Sequence, residues 1–197
     1  MIPPSDRKDS HLSLCLRDDI DLYSQSASGF AAYRFEHDAL PEIDYDAVDL
    51  RTEILGKPLA APLVIGAMTG GTERAGEINR RLAKAAQVCG VGLALGSQRK
   101  LLGAAPEGAI AATYRVRDTA PDLPLLFGNL GAVQLNYGVG ATEIRGLIAA
   151  VACDAWYFHL NPLQEVVQPE GDRRFGNLLP RLREVIPALG IPALVKE

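Results

Sequence analysis

The 197-residue chain has few cysteines, no long apolar run and no excess of basic charge. Its three cysteines, Cys15, Cys89 and Cys153, are odd in number, widely separated and form no CxxC pair. That pattern argues against a disulfide framework or a thiolate metal site, and for buried free thiols in a reducing, cytoplasmic setting. No apolar stretch approaches the roughly 18–20 residues of a spanning helix, and residues 1–8 have no apolar core behind their charges, so neither membrane insertion nor a signal peptide is expected. With 20 basic against 24 acidic residues and a formal net charge of −4, the chain carries no nucleic-acid footprint. An anion site must therefore be local, built from a few Arg, Lys and backbone N–H groups. Asp44, Asp46 and Asp49 cluster without metal-loop spacing and read as solvated or capping residues.

What the chain does have is a repeat. Short apolar runs around Ile65, Ala94, Phe127, Phe158 and Leu194 recur every 29 to 36 residues, the length of a βα unit. Between them lie helical patterns. Ile78, Leu82, Ala85 and Cys89 mark one face, with Thr72 a plausible N-cap and Gly90 a plausible C-terminal stop. A weaker helix is expected over 107–117. Thr142 can cap a helix bearing Ile144, Leu147, Ile148 and Val151, and Leu179, Leu182, Ile186 and Leu189 describe a further face. Continuously apolar strands favour a parallel sheet buried on both faces. The fold class is therefore α/β: a parallel barrel of the TIM (β/α)8 kind, with a doubly wound open sheet as the alternative.

A closed barrel needs eight units and typically about 250 residues. Five leave two strands without neighbours, so the chain reads as the front part of a longer one. Residues 1–60 form a lead-in and tail, and residues 61–197 the first five βα units of an incomplete TIM barrel.

Chemistry gathers where the runs end, at the side where such barrels place their sites. Met68-Thr69-Gly70-Gly71 lets backbone N–H groups approach a flat or anionic ligand, or is simply a tight turn. Ser97-Gln98-Arg99-Lys100 offers a hydroxyl, an amide and two cations. Asn129 could pair with a heterocycle, although beside glycine it reads first as a turn residue. His159 reads first as a hydrogen-bonded structural residue. Gln164 and Glu165 begin a helix after the fourth run and face the barrel mouth; Glu165 could hold a hard cation such as Mg²⁺. Lys196 would bring positive charge over an electron-rich ring. Together these groups suggest a polar organic cofactor with an anionic substrate.

The residues that carry these signals also resemble a known family. Arg7-Lys8 with His11, Ala67-Met68-Thr69-Gly70-Gly71, Gly96-Ser97-Gln98-Arg99, Asn129-Leu130-Gly131-Ala132 with Gln134-Leu135, and the run His159-Leu160-Asn161-Pro162-Leu163-Gln164-Glu165 through Gln168-Pro169-Glu170-Gly171-Asp172-Arg173 resemble type 2 isopentenyl-diphosphate isomerase. The resemblance extends from about residue 7 to Lys196-Glu197. It implies an FMN-dependent (β/α)8 barrel that interconverts isopentenyl and dimethylallyl diphosphate in isoprenoid biosynthesis. It further implies Mg²⁺, NADPH as reductant and, at full length, a homo-oligomer. FMN contacts would fall at Ala67, Met68, Thr69, Ser97, Asn129 and Lys196, and substrate contacts at Arg7, Lys8, Ser97, Gln98, Arg99 and Gln164. Glu165 would be the Mg²⁺ ligand, with His11 and His159 in support and reduced FMN as the acid–base agent. Family members continue through three more units, whose Gly-rich loops cradle the FMN phosphate. Two other readings stay open: a different FMN-dependent barrel, such as an α-hydroxy-acid oxidase or nucleotide dehydrogenase, and a non-catalytic remnant or half-barrel that requires a partner chain.

Overall fold

Parallel strands require a long return path, and in this chain helices and turns supply it. The computed structural model describes residues 10, 12–17, 29–105 and 107–197. Arg7, Lys8 and His11 lie outside the described residues. Residues 12–15 are helical with Leu12 buried, and residues 31–50 are exposed, including Asp44, Asp46 and Asp49. An antiparallel hairpin follows, β1 (Thr52–Ile54) and β2 (Lys57–Leu59). Then come β3 (Val64–Ile65), α1 (Glu73–Cys89), β4 (Gly92–Ala94), α2 (Ala109–Ala112) and β5 (Leu126–Gly131). The chain continues through α3 (Ala141–Val151), β6 (Ala155–His159), α4 (Pro162–Val167), α5 (Leu178–Val185) and β7 (Ala193–Lys196).

Strands β3 to β7 form one parallel sheet in the order β3-β4-β5-β6-β7. A doubly wound sheet would reverse that order at a switch point, so this alternative is set aside. The sheet is curled, as in half of a barrel.

Side chains alternate between its two faces. Leu93, Leu95, Leu126, Leu130, Trp156 and Phe158 join the large core beneath the helices. Ala94, Leu125, Phe127 and Ala155 form a second cluster on the concave side, joined by Tyr157, Leu194 and Leu59 of the hairpin. There the Phe127 and Tyr157 rings stack at 4.4 Å and 9°. β4 and β5 are buried throughout, whereas β3 and β7 are only partly covered.

The expected helix boundaries hold at both ends of α1. Thr72 accepts from the Ala75 N–H at 3.3 Å, and Gly90 ends α1 in the left-handed region at φ 64°. Asn161 caps α4, with Pro162 in the first turn. Ile144, Leu147 and Val151 are the buried face of α3.

Other expectations are corrected. The buried face of α1 is Ala75, Gly76, Asn79, Ala83 and Ala86, not the row ending at Ala85 and Cys89, which are exposed. The helix lies close on its neighbours, so small residues occupy the contact, and Asn79 donates to the carbonyls of Thr69 and Thr113 at 3.2 and 3.1 Å. The helix expected over 107–117 shortens to α2, followed by a 3₁₀ turn at Val116–Asp118. Gly140, not Thr142, starts α3, because the Glu143 carboxylate accepts from the Gly140 N–H at 2.8 Å. Of the last expected face, Leu182 in α5 and Leu189 beyond it are buried and Ile186 packs on the core, joined by Val185, and only Leu179 is exposed.

The thiols divide in the same way. Cys153 is buried, whereas Cys15 and Cys89 are exposed, so only one of the three is the expected buried thiol. Burial pushes the Cys153 thiol up to about 12 from an ordinary 9.0. The stability gained by keeping it neutral is complete below about pH 9 and is lost as pH rises toward 12. Iodoacetamide at pH 8 should therefore modify Cys15 and Cys89 in the native chain and reach Cys153 only on unfolding, as read by peptide mass spectrometry.

At the opposite rim from the strands' C-terminal ends, Asp154 ties three elements together. One carboxylate oxygen accepts from Arg117 at 2.5 Å and from the Leu126 N–H at 2.8 Å, and the other meets Lys57 of β2 at 2.8 Å. Asp154→Ala would strand the Leu126 N–H and remove the carboxylate partner of Arg117 and Lys57. It should cost about 2 kcal/mol in urea unfolding, and a loss under about 0.5 kcal/mol would contradict this role.

Candidate functional site

The parallel order brings every strand's C-terminal end to one rim. The inner-face phase of β5, β6 and β7 continues beyond the apolar residues into Asn129, His159 and Lys196. Asn129 is therefore not in a turn. It lies inside β5, because that strand pairs with β6 over five positions, from Phe127–Ala155 to Gly131–His159. Asn129 Nδ2 donates to the Leu95 carbonyl at 3.2 Å, which leaves Oδ1 facing His159 Nδ1 at 2.9 Å. That ring nitrogen then carries the proton and donates. Lys196, partly exposed on β7, is paired with the adjacent Glu197.

The loops after β3 and β4 are braced against each other. The Thr69 carbonyl accepts from the Gly96 N–H at 3.2 Å, and the Gly71 N–H donates to Thr113 Oγ1 at 2.9 Å. The Tyr114 hydroxyl, raised well above its ordinary range by burial, donates to the Ser97 carbonyl at 2.8 Å. Its ring fills the space above Gly70, where an added Cβ would stand 2.1 Å from a ring carbon. Lys100 Nζ reaches the Gly71 carbonyl at 3.4 Å.

Two side chains on these loops are buried without satisfaction. Thr69 Oγ1 and both amide atoms of Gln98 have no hydrogen-bond partner. Each such group costs about 1–3 kcal/mol unless something pairs with it. They suit a polar ligand held against the loops. Asn129, by contrast, has both amide atoms partnered, by Leu95 and His159. Ala67 packs on the inner cluster beside them and Ser97 is partly buried, whereas Met68 projects outward, 61% exposed.

A second group forms around α4. Arg99, from the turn after β4, meets Asp172 Oδ2 at 2.6 Å, and Gln134, from the turn after β5, donates to the same oxygen at 2.5 Å. The Asp172 N–H donates to Glu165 Oε2 at 2.9 Å. Gly171 permits this fold-back, since a Cβ there would lie 1.7 Å from the Glu165 carbonyl oxygen. Gln164 is exposed and held by Asn161, whose Nδ2 donates to Gln164 Oε1 at 2.7 Å. A largely apolar cavity of about 170 Å³ lies alongside, lined by Val133, His159, Asn161, Glu165, Phe175 and Leu178.

The structure thus brings Thr69, Gln98, Arg99, Asn129, His159, Glu165 and Lys196 to one rim. Sequence reasoning missed Tyr114, Gln134 and Asp172 as parts of this arrangement. Gln134 and Asp172 lay within motifs already singled out, but no spacing rule says which distant residue a carboxylate will meet. Among the described residues no three His, Cys, Asp or Glu converge in a metal cage, so a cation at Glu165 would need oxygen ligands from elsewhere. No helix among them is long and apolar enough to cross a membrane.

The class that fold and rim define is a parallel β/α half-barrel with a polar strand-end site. No protein-family model matches the chain. It is similar to isopentenyl-diphosphate delta-isomerases of Rickettsia canadensis (strain McKiel), Rickettsia felis (strain ATCC VR-1525 / URRWXCal2) and Rickettsia africae (strain ESF-5), at 51%, 49% and 50% identity over 192 residues. Each match covers 98% of this chain and 54% of the relative, so the chain spans about half the length of the curated relatives it matches.

The brace is testable without any ligand. Tyr114→Phe should lose about 1 kcal/mol with the Ser97 hydrogen bond, and Gly70→Ala about 3 kcal/mol through the ring clash. Equal and negligible losses in denaturant titrations would show that the loops do not depend on Tyr114.

Proposed function

We propose that this chain carries the substrate-facing part of a type 2 isopentenyl-diphosphate isomerase, which interconverts isopentenyl and dimethylallyl diphosphate. The single observation that carries the reading is the polar rim itself, where residues of four of the five resembling motifs meet, on a chain about half identical to proteins bearing the isomerase name. On this reading the complete protein is an eight-unit barrel that uses FMN, Mg²⁺ and NADPH as reductant.

Met68, Thr69, Asn129 and Lys196 would hold the flavin, Thr69 with a hydroxyl that has no protein partner, and Gln98 would contact the substrate through its unpaired amide. Ala67 and Ser97 line the same side. When bound, reduced FMN supplies proton transfer that carboxylates and histidines perform poorly on an unactivated alkene. The chain's own residues bind and orient. Arg99, with Arg7 and Lys8 of the tail, would neutralise a diphosphate, which is a dense anion suited to guanidinium forks. Glu165 would hold Mg²⁺ by one carboxylate, leaving phosphate oxygens and water to complete the shell. Gln164 would hydrogen-bond the substrate from the start of α4. His159, locked by Asn129, and His11 would support the pocket wall.

The test is Glu165→Gln. Mg²⁺-dependent binding of isopentenyl diphosphate should weaken at least tenfold, while FMN affinity, read by flavin fluorescence, stays within about twofold. Unchanged Mg²⁺ dependence would remove the metal assignment. Oxidation of lactate in place of isopentenyl diphosphate turnover would move the chain to another flavin-barrel class.

A further inference from the structure

We infer that Asp172 is a positioning residue that sets Arg99 and Glu165 together as one diphosphate-and-metal clamp. The inference rests on the functional reading above and deepens it. Three elements meet at this residue. Its carboxylate receives Arg99 at 2.6 Å and Gln134 at 2.5 Å, and its own N–H donates to Glu165 at 2.9 Å. Asp172 is buried, while the Arg99 side chain keeps 40% of its surface exposed. The guanidinium meets Asp172 through Nη1, and the side chain stays partly open to solvent. A fork has five N–H donors, so anchoring one leaves a preset face for a phosphate.

Glu165 is fixed in a complementary way. One carboxylate oxygen is occupied by the Asp172 N–H, which orients the group so that its other oxygen is presented for a hard cation. Outer partners of this kind commonly decide how well a ligand carboxylate holds its metal. The fold-back at Gly171 joins the two anchors, since the same turn brings the Asp172 N–H onto Glu165 and its carboxylate to Arg99. Asp172 itself touches neither substrate nor metal; it acts through the two residues that do.

Asp172→Asn keeps the shape and removes the charge that orients Arg99. The probe is inorganic pyrophosphate with Mg²⁺, titrated by calorimetry into the purified chain, with KM and kcat for isopentenyl diphosphate measured beside it. Pyrophosphate affinity should fall about tenfold and KM rise by a similar factor, with kcat within about threefold. In an Arg99→Ala background the same substitution should add less than about twofold, because the residue through which it acts is gone. Unchanged affinity and KM in a folded Asp172→Asn protein, or fully additive losses, would overturn the inference. So would a wild-type chain that does not bind pyrophosphate. Loss of pyrophosphate binding in the variant, on a protein that never turns over isopentenyl diphosphate, would instead keep the clamp and sink the isomerase reading. If Asp172→Asn fails to fold, Gln134→Leu frees the same carboxylate to turn, and should weaken pyrophosphate about threefold; no change there would also overturn it.

Discussion

Everything at the candidate site depends on the parallel hydrogen-bond ladder taken in sequential order. Because each strand pairs with the one before it, all five point the same way, and every loop that follows a strand opens at the same rim. Period-two alternation then decides which side chains reach the concave face. In β6 it sends Trp156 and Phe158 under the helices and Tyr157 and His159 inward. A slip of one residue would exchange those sets, placing a buried Trp in the site and a His in the core. The five-position register between β5 and β6 is what prevents it, and it also delivers Asn129 to His159.

The repeat was legible because a strand buried on both faces must be apolar throughout, so Ile65, Ala94, Phe127, Phe158 and Leu194 stand out without any partner being known. The cap at Thr72 was legible for a similar reason: its hydrogen bond is local. Misreadings arose where distant packing outweighed a local cue. In α1 the larger apolar residues suggested a face, but close approach to the Thr113 segment selects Ala, Gly and Asn instead. Asn129 beside glycines looked like a turn until pairing with β6 carried the strand through it. Asp172 was readable as a motif residue but not as a hub, since its partners come from the turns after β4 and β5 and from α4.

The same contrast separates two kinds of polar residue at the rim. Asn79, Thr113 and Tyr114 spend their hydrogen bonds on backbone groups of the loops and are thereby structural. Thr69 and Gln98 are as deeply buried and have polar atoms that bond to nothing in the protein. An unpaired buried polar group costs more than a typical paired one contributes, so these atoms are the least satisfied part of the rim. The brace keeps the two loops packed against each other around these groups.

These two constructions meet on a single short turn. Gln98, whose amide is unpaired, and Arg99, anchored to Asp172, are adjacent in the 3₁₀ turn Gln98–Leu101. Tyr114 fixes the entry to that turn at Ser97, and Asp172 fixes its guanidinium across the rim toward Glu165. A ligand that met both side chains would therefore be referenced to one short piece of backbone. The relative placement of the two groups is set in advance, so little ordering entropy would remain to be lost on binding. For a reaction that needs a substrate held against a cofactor, with few protein groups taking part in the chemistry, such registration is the main contribution a protein can make.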